Sequence, residues 1–175
     1  MARTLYDGDT FERSGYTFTF RTERDEGMGA PWKEHDGHGI VSEWTTRDKR
    51  PGEVVIASDR NSKRYYDVQA STAIARRDGW GCGDATHTHA TAGERIACAV
   101  ERDCDHLRRW CADLWSWIGV IVEYQDRHGK VTERESLWGI ESEPREYLAE
   151  VAEELADEIV GRLEVEHPDI VVSEN

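Results

Sequence analysis

The sequence predicts an α+β fold, an antiparallel sheet built from hairpins with two long helices packed on one face. Three observations carry that expectation. Two stretches place β-rich runs on either side of short polar turns, which makes hairpins and therefore antiparallel neighbours. Two others repeat apolar residues every three or four positions, the period of a helix buried along one side. The 175 residues include seven Trp and are 38% hydrophobic, a composition unlike that of disordered chains.

The elements follow in order. Residues 15–22 alternate apolar and polar, as a half-buried strand does. Residues 25–52 are rich in Gly, Asp, His and Pro and read as a long irregular loop anchored by Trp32 and Trp44. Residues 53–57 and 63–68 flank turn residues 58–62 and form the first hairpin. A short helix over 68–78 stops at Gly79, and a second loop covers 81–89. Thr91-Ala92-Gly93-Glu94 has the form of a capping box, whose side chains satisfy the free N–H groups of a first helical turn. It opens a helix over 92–115, with Ile96, Val100, Cys104, Leu107, Cys111 and Leu114 on one stripe. Residues 117–124, a turn at 126–130 and a return strand over 131–140 make the second hairpin. Ser142 would cap a last helix over 143–163, with Leu148, Val151, Leu155, Ile159 and Leu163 toward the core. The expected organisation is a single domain over 1–163, followed by a loosely ordered acidic tail, 164–175.

Charge narrows the function classes. The chain carries 36 acidic and 22 basic residues, a net of −14. Residues 141–175 hold twelve acidic side chains against two basic. That balance disfavours nucleic-acid binding by the molecule as a whole, because phosphate contacts need local positive charge. No apolar run approaches the roughly 18 residues of a membrane span, and the first residues lack an apolar signal core. Cys82, Cys98, Cys104 and Cys111 are too sparse for a disulfide scaffold and read as reduced thiols of a cytosolic protein.

Four groups of residues are candidates for function. On the last helix, Glu146, Glu150, Glu153, Glu154, Asp157 and Glu158 make an acidic ridge. Helical spacing of four separates successive carboxylates by about 6 Å, similar to phosphates along a nucleic-acid strand. The ridge is either a DNA-mimicking surface or a solvated face that keeps the chain soluble. Repulsion at i,i+4 costs a few tenths of a kcal/mol per pair, which favours a role.

Arg47, Lys49, Arg50, Arg60, Lys63 and Arg64 form a basic stretch interleaved with Trp44, Tyr65 and Tyr66, a mixture suited to single-stranded nucleic acid. The simpler account is salt bridging to the acidic C-terminal helix. Tyr65 and Tyr66 are adjacent on a strand, so at most one faces outward. Cys82, His87 and His89, with Cys98 nearby, are candidate metal ligands, although their spacing is not a standard zinc pattern. His35 and His38, in a Gly-rich loop, are candidate ligands or a general base. Cys104 and Cys111 read as buried thiols, and Trp110, Trp115, Trp117 and Trp138 as mostly core. Phosphate loops, a Gly-x-Ser-x-Gly elbow, His-Glu-x-x-His and Cys-x-x-Cys are missing from the sequence. No catalytic set is completed, and no cofactor is expected.

Several stretches carry a resemblance. They include Gly8-Asp9-Thr10-Phe11-Glu12-Arg13, Pro31-Trp32-Lys33-Glu34-His35-Asp36-Gly37-His38-Gly39, Arg50-Pro51-Gly52-Glu53 and Arg64-Tyr65-Tyr66-Asp67. Ala75-Arg76-Arg77-Asp78-Gly79-Trp80, Leu107-Arg108-Arg109-Trp110-Cys111 and Glu135-Ser136-Leu137-Trp138-Gly139-Ile140-Glu141-Ser142 extend it across most of the chain. In these the sequence resembles small acidic proteins of tailed bacteriophages and prophages, a group to which the resemblance attaches no reaction. Taken with the acidic ridge, the long Trp-bearing loop, a compact fold and the lack of a catalytic set, it leads to the expectation of a non-enzymatic phage accessory protein in the host bacterial cytoplasm. Such a protein would bind and inhibit a host protein or complex, for example a defence or nucleic-acid-handling component such as a CRISPR complex. The ridge, with Trp32 and Trp44, would supply the contact. A nucleic-acid-binding regulator using the basic stretch is the second reading, and a metal-dependent enzyme using the His and Cys loops the third. Oligomeric state is open.

Overall fold

In the computed structural model, which describes residues 4–82 and 91–166, the chain forms two compact units. Unit one joins the N-terminal residues up to Met28 to the residues from Ser116 onward, and unit two is Gly29–Trp115. Each has its own antiparallel sheet, so the α+β class stands. The sequence reading grouped residues 1–163 around one sheet, with both long helices on one face. Instead, the long helices belong to different units.

Unit one contains β1 (Thr10–Arg13), β2 (Tyr16–Arg24), β6 (Trp117–Gln125), β7 (Val131–Glu141) and α4 (Arg145–Glu166). The strand order is β1-β2-β6-β7. Ser14 and Gly15 turn β1 into β2 with φ of 49° and 81°, the left-handed pair that suits a two-residue hairpin. β2 and β7 occupy the two edges of β6, which leaves no edge of it for the other hairpin. One sheet face carries Phe18, Phe20, Val120 and Val122, and α4 packs against it with Leu148, Val151, Leu155, Ile159 and Leu163. All five helix residues anticipated as core are buried. Burying each such side chain contributes about 1.5–3 kcal/mol. Ser142 does not cap α4; its hydroxyl accepts from the Ser116 N–H at 3.0 Å, and the helix begins after the cis Glu143–Pro144 bond. α4 extends through residues 164–166, the start of the expected tail. The rest of that tail lies outside the described residues.

Unit two contains α1 (Pro31–Glu34), β3 (Ile40–Val41), β4 (Glu53–Asp59), β5 (Ser62–Asp67), α2 (Val68–Asp78) and α3 (Ala92–Cys111). Its sheet order is β3-β5-β4. A bulge between Val55 and Ala57 turns Ile56 into the core. Asp67 caps α2 by accepting from the Ala70 N–H at 2.9 Å, and Gly79 ends it with φ of 70°. The Thr91/Glu94 capping box of α3 is present. α3 ends at Cys111, four residues early, because Asp113 takes φ of 54°. Leu114, expected on the apolar stripe, is consequently exposed. The loop expected over 25–52 contains α1 and β3.

Candidate functional site

The acidic ridge divides by partner. Arg13, at the end of β1, donates to Asp157 at 2.6 and 2.7 Å and to Glu153 at 3.2 Å. That guanidinium holds the Asp157 carboxyl below its ordinary range. Arg162 pairs with Glu133 and Glu135 of β7. Glu146, Glu150, Glu154 and Glu158 remain, four residues apart on one line of α4. All four are exposed, and none has an ion pair among the described residues. The line spans about 18 Å at 1.5 Å per residue. The sheet holds the opposite face of the helix, so the carboxylates keep their spacing without a ligand.

Two of the six residues of the basic stretch, Arg47 and Arg64, are engaged within unit two. Arg47 donates to both oxygens of the buried Glu53, at 2.7 and 2.5 Å, and lies 4.8 Å from the Tyr65 ring centre. The Arg64 guanidinium lies between the rings of Trp32 and Trp44, at 4.9 and 4.7 Å. Trp32 also meets Trp110 edge to face at 5.4 Å. The expectation that this stretch neutralises the acidic helix is thus replaced by local pairing. Trp32 and Trp44, expected as partner-binding residues, form a cage around Arg64, although Trp44 keeps one exposed side. Tyr65 and Tyr66 are both buried, so neither interleaves with the cations at the surface. Lys49, Arg50, Arg60 and Lys63 are exposed.

The histidine candidates separate. His38 Nδ1 lies 2.7 Å from Asp103 Oδ1, while Asp103 Oδ2 accepts from the Gly39 N–H and the Tyr66 hydroxyl, each at 2.8 Å. Burial pushes the Tyr66 hydroxyl well above its ordinary value. His38 stacks on His106, and His106 on Trp115, at 5.9 and 4.4 Å. One carboxylate thus fastens the Gly-rich loop to α3 and orients an imidazole. His35 is exposed in the same loop. Sequence reasoning missed Asp103, whose signal was its place beside Cys104 at the edge of the buried stripe.

The reading of Cys82 and Cys98 as reduced thiols is corrected by a disulfide between them, with Cα atoms 6.1 Å apart. In that form neither supplies a thiolate to a metal. His87 and His89 lie outside the described residues. Among the described residues, no three His, Cys, Asp or Glu gather to hold a metal ion. Cys104 and Cys111 are free, and burial raises both thiols. Trp115 and Trp117 are buried as expected, whereas Trp138 is 45% exposed over Gly119. No helix among the described residues is long and apolar enough to cross a membrane. Comparison with protein-family models, curated proteins and solved structures finds no match for this chain.

Proposed function

We propose that this chain is a non-enzymatic phage accessory protein that binds a host protein through α4 and blocks it in the bacterial cytoplasm. The observation that carries the reading is the line Glu146, Glu150, Glu154 and Glu158, exposed and without an ion pair among the described residues, on a helix whose neighbouring carboxylates Glu153 and Asp157 are taken by Arg13. A partner with a nucleic-acid groove offers the matching cations, spaced for phosphates about 6 Å apart. Nucleic-acid-handling and defence complexes, CRISPR complexes among them, have such grooves. Arg47 and Arg64, two of the six cations of the alternative nucleic-acid surface, are engaged internally, which leaves that surface Lys49, Arg50, Arg60 and Lys63.

The Cys82–Cys98 bond adds a condition, because disulfides are rare in a reducing cytosol. The stripe is in unit one and the bond in unit two, so oxidised and reduced protein should bind alike.

The test is capture of host proteins from nuclease-treated lysate on the tagged chain, read by mass spectrometry. Stoichiometric recovery of one nucleic-acid-binding protein is expected. It should be displaced by added DNA and lost in the Glu150→Lys, Glu154→Lys, Glu158→Lys variant, with thermal unfolding unchanged. Equal capture by that variant would sink the proposal.

A further inference from the structure

We propose that unit two carries a binding site for a small apolar molecule with a cationic head, in the trough between α2, α3 and β4. The trough is a cavity of about 390 Å³ whose floor is Val54, Val68, Val100 and Cys104. Its volume falls within the range typical of small-molecule sites. At α2 it adjoins a second hollow of about 420 Å³, which shares Val68 and Thr72 and runs toward Gly52 and Arg76. Val54 and Val68 belong to the core of unit two, yet each is only half-buried. On α3 the lining includes Ala97, which contributes only a methyl group.

The rim decides the head group. Arg108 is committed, since it pairs with Asp105 and its Nη2 lies 3.7 Å from Cys104 Sγ. Thr72 donates its hydroxyl to the Val68 carbonyl at 2.7 Å. Glu101 is exposed on the rim and has no ion pair among the described residues. What remains at the mouth is therefore a carboxylate above an apolar floor. That combination accepts an ammonium or amidinium joined to a hydrocarbon or aromatic body and repels the corresponding acid. The site is in unit two, and the proposal does not rest on the acidic helix of unit one.

The experiment titrates the full-length chain, labelled with ¹⁵N, with 4-phenylbutylamine, 4-phenylbutanol and 4-phenylbutanoate. The amine should give saturable amide shifts at Val54, Val68 and Val100. It should bind about fivefold or more tightly than the alcohol, and the acid more weakly still. Glu101→Gln should erase the advantage of the amine over the alcohol. Ala97→Leu, at an exposed helical position, should remove binding of all three while the spectrum stays dispersed. The proposal is overturned by any of three results: no saturable shifts at these residues, equal affinity for the three probes, or unchanged binding in Ala97→Leu.

Discussion

Arg13 donates Nε and Nη2 to the two carboxylate oxygens of Asp157, at 2.7 and 2.6 Å, and so joins the end of β1 to α4. Its third contact, Nη1 to Glu153 at 3.2 Å, removes a second carboxylate from the ridge. The pair is solvent-exposed, so its net contribution to stability is small. Its larger effect is on the charge α4 presents. Replacing Arg13 with Ala frees two carboxylates beside the Glu150–Glu158 line. Capture of a basic partner at low salt should then tighten about two- to fivefold, which corresponds to roughly 0.4–1 kcal/mol. The thermal midpoint should barely move. Asp157→Asn, which makes the same place more positive by one unit, should weaken capture instead. Weaker binding by Arg13→Ala would mean that the arginine itself meets the partner.

Two glycines separate a rigid close approach from a yielding one. A Cβ on Gly39 would lie 2.3 Å from both Ser71 Oγ and Tyr66 Oη. Tyr66 is fully buried and bonded to Asp103, and Ser71 accepts from the Ile40 N–H while donating to the Asp67 carbonyl. Neither can withdraw without breaking a buried bond. Gly39→Ala should therefore cost about 1–3 kcal/mol in urea unfolding. A Cβ on Gly119 would lie 2.5 Å from the Trp138 ring, which is 45% exposed and is held by an exposed hydrogen bond from Nε1 to Ser136 Oγ at 3.2 Å. Gly119→Ala should cost less, and Trp138→Ala in the same chain should recover most of that loss. A larger effect at Gly119 than at Gly39 would contradict this ranking.

These contacts mark how far the sequence can be read. Alternation in β2, the capping box at Thr91 and the apolar stripe of α4 are local signals, and each element lies where its period placed it. β1 was not legible because Phe11 is the only apolar residue among its four. The pairing of β2 with β6 joins residues about a hundred apart, and no local pattern specifies it. With β7 on its other edge, β6 has no edge left for the first hairpin. The exposed carboxylates of α4 were legible from helical spacing, but their division by Arg13 was not, since that arginine arrives from the far end of the chain. Asp103 looked like one more charge on a polar helix. Its role depends on His38 and Tyr66, brought to it by a loop and a strand.

Glu53 gives unit two a dependence on acid. Its carboxylate accepts from Arg47 twice and from the Arg50 N–H at 2.8 Å, and it is 7% exposed. The Arg47 hydrogen bonds, with help from Arg50, lower its pKa from an ordinary 4.5 to about 2. The unfolded chain therefore binds the proton more readily than the folded one. The stabilisation is complete above about pH 4.5 and drains away as the pH falls toward 2. Glu53→Gln should be less stable than the parent at neutral pH, and the gap in thermal midpoint should close across that window. A gap that stays constant from pH 7 to 2 would show that the loss is not electrostatic.

The four cysteines should be distinguishable by titration with a thiol reagent. Cys82 and Cys98 are joined, whereas Cys104 is buried and Cys111 half-buried, both with thiols raised by burial. A raised, buried thiol carries little thiolate at neutral pH, so the folded protein should react slowly. Unfolded without reductant, it should show two thiols; after reduction, four. The bond closes a segment 16 residues long in sequence separation. A cross-link over such a loop restricts the unfolded chain by about 3 kcal/mol, so reduction should lower urea stability by up to that amount. Four reactive thiols in unreduced, unfolded protein would mean that Cys82 and Cys98 are not joined in solution. Partner capture through α4 should be the same before and after reduction, because no cysteine belongs to unit one.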